Sequence, residues 1–253
     1  MNRKKSISIK VCTWNIQLGL HLKTIIKTIE NTPDFNGLDF LALQETSVFE
    51  DKDNAWEICQ LLGKNFDYYQ VKAQLLHGRV QANALIWNKN NVKITTKKYL
   101  TLPVSTGLLQ RFRPQNRICL ELDGILRRRF NFNFKVAHLD VIGFAHKKRQ
   151  FECVTHQILN KKTDLYLLAG DFNTFRVGRW PKWQNLSEVA KNSGLIDLTS
   201  EIKWTHQFKR LSWKQKLDAI FVAAKKDIKY ESWTQEVPGS DHLPVFANIK
   251  LNE

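Results

Sequence analysis

The 253-residue chain carries 39 Lys and Arg against 24 Asp and Glu, a formal charge of +15, and no apolar run near the roughly 18 residues that cross a bilayer. Its length suffices for one large domain with a sizeable core, and no Pro/Gly/Ser-rich linker or internal repeat divides residues 1–253, so a single domain is expected. Cys12, Cys59, Cys119 and Cys153 are scattered without a C-x-x-C pair, which points away from a disulfide framework or a zinc cluster and toward reduced core thiols.

The opening MNRKKSISIKVCTWN lacks the apolar h-region of a signal peptide, and the protein is expected to be soluble, cytoplasmic and monomeric. In chain order, runs of strand length are SISIKVCTWNI, FLALQE, NALIWN, RICLEL, FNFNFKVAHLD, LYLLAGDFN, LDAIFVA and VFANIKL. In the fifth, Phe130, Phe132, Phe134 and Val136 alternate with Asn131, Asn133 and Lys135, which predicts a strand buried on one face only. Helical spacing of apolar residues marks His21 to Glu30, Asn54 to Leu62, His146 to Leu159 and Leu186 to Asn192. Strands thus outnumber helices about two to one, the mark of paired mixed sheets with helices outside rather than a doubly wound parallel sheet.

Polar residues gather where these strands end. Asn15, Glu45, His138 with Asp140, and Asp171 with Asn173 close four runs; Asp218 begins a fifth, and Ser240-Asp241-His242 precedes the last. Carboxylates and amides at the exits of buried strands are costly to desolvate unless they bind something. The oxygen-rich set suits Mg²⁺ or Mn²⁺, and His138 and His242 add a phosphate donor and a proton acceptor. A Lewis acid, a water activator and donors toward phosphorus are the requirements of phosphoester hydrolysis.

In their order, TWN, LQE, HLD, GDFN, LD-x-IF and SDH resemble the endonuclease/exonuclease/phosphatase superfamily, with its DNase I-like fold, from Asn15 to His242. The resemblance implies a four-layered α/β sandwich with two central mixed sheets flanked by helices, and a Mg²⁺- or Mn²⁺-dependent phosphoesterase. On matching positions it implies Glu45 as the main metal ligand with Asn15 and Asp241 beside it. Asp171 would orient the attacking water, Asn173 would bind phosphate, and His138 would stabilise the transition state. His242 would be the general base or a phosphate contact, its tautomer fixed by Asp218. Lys216-Leu217-Asp218-Ala219 departs from the family's Arg-Ile-Asp-Tyr, and His138 stands where apurinic-site nucleases carry Tyr, which favours DNase-like or phosphatase branches.

Charge is segregated: Glu30 to Gln70 holds nine acids against two lysines, Arg111 to Arg149 ten bases against three acids, and Arg176 to Lys216 nine against three. Such basicity suits nucleic acid, DNA or RNA, or an anionic lipid surface. Within FRVGRWPKWQ, Arg176, Arg179 and Lys182 interleave with Trp180 and Trp183, a combination that can follow a phosphate backbone and stack on bases. The expected activity is a nuclease; a lipid phosphodiesterase or phosphatase is the alternative, and a non-catalytic nucleic-acid module a third. Asp140 could point to the same strand face as His138. His21, His77, His146, His156 and His206 match no motif and are expected on the surface or in helices, and Arg127-Arg128-Arg129 in a solvated hairpin turn.

Overall fold

A computed structural model describes residues 6–49, 52–76, 78–104, 115–141, 143–156, 158, 163–175, 186–208 and 213–252. The first half runs β1 (Ser6–Asn15), α1 (Leu22–Asn31), β2 (Phe40–Phe49), β3 (Lys52–Asp53), α2 (Asn54–Leu62), β4 (Phe66–Leu76), β5 (Arg79–Asn88) and β6 (Val92–Thr101). The second runs β7 (Ile118–Leu126), β8 (Phe130–His138), α3 (Phe144–Thr155), β9 (Leu165–Asp171), α4 (Leu186–Asn192) and β10 (Ile196–Asp197). It ends with β11 (His206–Phe208), β12 (Trp213–Gln215), β13 (Asp218–Ala224), β14 (Ile228–Thr234) and β15 (Val245–Asn252).

One sheet has the order β14-β15-β1-β2-β5-β4, with β3 on β2; the other has the order β10-β13-β9-β8-β7-β6. Only β1 with β2 and β8 with β9 pair in parallel among the described strands. Alternate residues explain the layers. Ile9 and Val11 of β1, Phe40 and Ala42 of β2, and Phe132, Phe134 and Val136 of β8 meet between the sheets, where Phe40 packs edge-on against Phe132 and Phe134 at 5.3 and 5.0 Å. Cys12, Trp14, Leu41 and Leu43 face the other way, against Ile25 and Ile29 of α1 and Ile58 of α2. Tyr166, Leu168 and Phe221 likewise cover the second sheet beneath Phe151 of α3 and Ala190 of α4. The result is the expected sandwich of helices, two mixed sheets and helices.

One strand expectation needs correction. Asn131 is exposed as expected, but the rest of β8 is buried on both faces: Asn133 donates to Glu121 and Asp123, and Lys135 donates to the Val154 carbonyl under α3. Asn133 and Lys135 are covered, with β7 supplying the partners of Asn133 and α3 that of Lys135. The weakly alternating β4, β6 and β14 went unread because they include the sheets' outer strands, where exposure relaxes the pattern. The turn at Arg127 and Arg128, both with left-handed φ, joins β7 to β8 as expected, but Arg127 also reaches across to buried Asp39 at 3.1 Å and so ties the two sheets together. All four cysteines are free, three of them buried.

Candidate active site

The inward-facing rows of both sheets turn polar at one end of the sandwich. In the second sheet, His138 pairs with Asp171, and Asp171 with Asp218, placing three of the expected site residues side by side on β8, β9 and β13. Each continues its strand's inward parity: Phe134 and Val136 lead to His138, Leu167 and Ala169 to Asp171, and Val222 and Ile220 back to Asp218. Gly170 permits this row, because a Cβ there would lie 1.9 Å from the Ala137 carbonyl oxygen.

The first sheet supplies Asn15 and Glu45. Asn15 follows Ile9, Val11 and Thr13 on the inward face. Glu45 has the wrong parity after Phe40 and Ala42, but the β2–β5 register shifts between Gln44 and Thr46 and Glu45 adopts φ +53°. This bulge turns Glu45 into the cleft, within 3.9 Å of His138 Nε2.

The terminal turn that carries Ser240, Asp241 and His242 is latched from three sides. Ser240 Oγ donates to the Asn15 carbonyl at 2.7 Å, the His242 N–H donates to Ser240 Oγ at 3.1 Å, and Trp14 Nε1 donates to the His242 carbonyl at 3.0 Å. His242 Nδ1 lies 2.8 Å from Asp218 Oδ2, which also accepts from Thr205 Oγ1 at 2.7 Å. His242 Nε2 then faces Asp171 Oδ2 at 3.8 Å. Asp171 is itself fixed: Oδ2 accepts from Asn15 Nδ2 at 3.0 Å, and Oδ1 from the Asn173 N–H at 2.9 Å. Asn173, at φ +50°, donates its side-chain amide to the Leu139 carbonyl at 2.9 Å.

Electrostatics follow from the crowding of four acids at the cleft. Burial, and then the charge of Asp218, push Asp171 up to about 6. Burial also raises Glu45, against the pull of His242 and Arg117. For His242, burial disfavours the imidazolium, but Asp218 and Asp171 outweigh it and hold the group up to about 10. Burial and then Arg117 depress His138, which stays neutral. Burial opposes ionisation of Asp241 as well, yet the contact with His206 and the charge of His242 hold it below the usual carboxylate range.

Sequence reading missed five supporting residues. Buried Arg117 places Nη1 3.0 Å from His138 Nδ1 and Nε at 3.2 Å from Asp140 Oδ1. Asp140 therefore holds the arginine behind His138 and does not join the cleft's carboxylates. Arg117 opens the run RICLEL, the same signal of a polar residue at a strand end that marked the others. Gln17 Nε2 reaches Asp241 Oδ2 at 3.2 Å, and Lys147 donates to the carbonyls of Val141 and Asn173. His206, expected on the surface or in a helix, is a buried strand residue bridged to His242; His146 is in a helix but buried, with Nε2 2.9 Å from Asp140 Oδ2. No sequence signal places His206, since its partners Asp241 and His242 are remote. Arg176, Arg179, Trp180, Lys182 and Trp183 lie outside the described residues, as does Arg111.

No protein-family model matches the chain, and no curated protein matches it. Solved structures do. An endonuclease/exonuclease/phosphatase family protein from Bacteroides thetaiotaomicron superposes with a TM-score of 0.71 at 16% identity, over 99% of this chain and 97% of that one. This is the endonuclease/exonuclease/phosphatase fold. The mannosyl-6-phosphatase Bt3783 of the same bacterium shares it at a TM-score of 0.65 and 16% identity, covering 95% of this chain and 99% of its own. D. rerio TDP2 complexed with a single-strand DNA product shares it at 0.69 and 13% identity, covering 96% and 98%. At these identities the likeness establishes the architecture, and chemistry rests on the side chains in the cleft.

Proposed function

We propose that this protein is a divalent-cation-dependent phosphoesterase, and that its substrate is the phosphodiester backbone of nucleic acid. The observation that carries the reading is the convergence of His138, Asp171 and Asp218 from one sheet with Asn15 and Glu45 from the other, closed by Asp241 and His242.

A hard dication fits this donor set. Glu45 is a partly buried carboxylate whose charge its surroundings leave undercompensated, and Asp241 offers a second partly buried carboxylate nearby. Glu45 and Asp241 would hold Mg²⁺ or Mn²⁺, with Asn15 at its edge linking Glu45 to Asp171. When bound, the ion supplies charge stabilisation to the phosphoryl oxygens and lowers the proton affinity of water. The protein's own groups do the rest. Asp171, fixed by Asn15 and the Asn173 N–H, orients and deprotonates the attacking water. His242, held as imidazolium by Asp218, donates to a phosphate oxygen. Neutral His138, backed by Arg117, donates a further hydrogen bond, and Asn173 contacts the phosphate through its remaining amide hydrogen.

The charge of +15 and its segregation support a polyanionic substrate, and a protein of this fold was solved with a single-strand DNA product. The mannosyl-6-phosphatase of the same fold favours one second reading, a phosphomonoesterase. The test is a panel of plasmid DNA, single-stranded RNA, a sugar phosphate and phosphoinositide vesicles, each with Mg²⁺ and with chelator. Chelator-sensitive cleavage of nucleic acid, abolished in Glu45→Ala, is the expected result. Turnover confined to the sugar phosphate or the vesicles overturns the nuclease assignment, and chelator-resistant cleavage by Glu45→Ala overturns the cation site.

A further inference from the structure

His206, Asp241 and His242 come together only in the folded chain. β11 crosses the terminal turn, where His206 bridges to His242 with ring centroids 4.4 Å apart, and His206 Nε2 lies 3.4 Å from Asp241 Oδ2. One donor atom from each of the three residues lies within 4.8 Å of the other two. A tetrahedral ion with bonds of about 2.0–2.1 Å sets its donors roughly 3.4 Å apart, the separation already present between His206 and Asp241. His206 is 5% exposed, and its Nδ1 is buried without a hydrogen-bond partner among the described residues.

The groups behind these donors are those a metal site needs. Asp218 takes His242 Nδ1 and leaves Nε2 as the available nitrogen, the carboxylate–imidazole–metal order that orients a ligand and raises its basicity. Gln17 steadies Asp241 at 3.2 Å. Two imidazoles and one carboxylate select a borderline transition metal over Mg²⁺. The sequence reading found no histidine cluster and argued against zinc; the tertiary structure supplies one.

We propose that His206, Asp241 and His242 form a second cation site, which takes a transition-metal dication of the Zn²⁺ class, and that its occupation inhibits hydrolysis. The inhibitory half rests on the function proposed above. A metal on His242 Nε2 removes the nitrogen that faces Asp171 and the phosphate, whether that nitrogen donates or accepts, and it draws Asp241 away from the cation beside Glu45.

The test titrates cation-free protein with Zn²⁺ against a chromogenic zinc chelator, for the wild type, His206→Phe and His206→Asn. Thermal unfolding with and without Zn²⁺ reports on folded protein alone. The wild type should bind one Zn²⁺ whose affinity falls by at least about tenfold in both variants, since losing a ligand exceeds the roughly 10- to 100-fold loss from removing a supporting partner. Zn²⁺ should raise the wild-type Tm more than either variant's. In Mg²⁺ assays the Zn²⁺ concentration that halves each protein's own activity should rise by the same factor. Equal Zn²⁺ binding by wild type and variants, or none by any, overturns the site. His206-dependent binding that leaves hydrolysis unchanged or faster overturns the inhibition. His206-dependent binding in a protein that hydrolyses no phosphoester with Mg²⁺ leaves the site standing and overturns the proposed function.

Discussion

Gly170→Ala should damage both stability and turnover, and the structure sets the scale. An added Cβ would stand 1.9 Å from the Ala137 carbonyl oxygen and 2.9 Å from its carbon, where ordinary contact begins at 3.4 Å. The obstacle is strand backbone, so it cannot rotate away as a side chain would. β8 and β9 must part by more than an ångström at the pair Ala137 and Gly170, one residue before His138 pairs with Asp171. Overpacking of this kind costs about 1–3 kcal/mol and occasionally more. For a chain of this size that corresponds to a Tm loss of roughly 2–4 °C per kcal/mol, about 6–12 °C at the upper end. Turnover should fall further than stability accounts for, because a misplacement near 1 Å of a positioned catalytic group costs on the order of 100-fold in rate. Thermal unfolding and kcat on nucleic acid at a temperature where the variant is fully folded separate the two effects. Unchanged Tm and kcat would refute the close-approach argument. A lowered Tm with wild-type kcat would keep the packing argument and remove Asp171 from the reaction.

Three further outcomes are expected. His242 is held up to about 10 by Asp218 and Asp171 against burial, above its ordinary 6.5, so its contribution to stability is complete below pH 6.5 and is lost as pH rises toward 10; Asp218→Asn should flatten the Tm profile across that window, and a parallel profile would show that the Asp218 charge does not set it. Asp171→Ala and His242→Ala should each nearly abolish turnover while leaving nucleic-acid affinity roughly intact, and the double variant should lose little more than either alone, because groups that act on one water and one phosphate are non-additive; losses that multiply in full would show independent action. Binding should weaken with salt by about 0.7–0.9 log units per tenfold salt for each phosphate neutralised; replacing Arg176, Arg179 and Lys182 by Ala should flatten that slope, whereas Trp180→Ala and Trp183→Ala should weaken binding without changing it, and an unaltered slope in the triple variant clears this segment of phosphate contact.

The sequence by itself placed the central strands and the polar residues at their ends, because both follow from short-range regularities. Period-two apolar runs place the central strands, and a polar residue at the end of an inward-facing row, such as Asn15, His138 or Asp171, declares an opening in an otherwise apolar core. Only the tertiary structure decided what depends on remote pairing. Glu45 has outward parity until a bulge against β5 turns it inward. Asn133 and Lys135 read as a solvent face until α3 covers their sheet. Arg117 becomes the support of His138 only through Asp140 on another strand's end, and His206 becomes a neighbour of Asp241 and His242 only because β11 folds across the terminal turn. Local periodicity records which way a side chain faces along its own strand, while the identity of what it faces is set by contacts between segments that the linear order keeps apart.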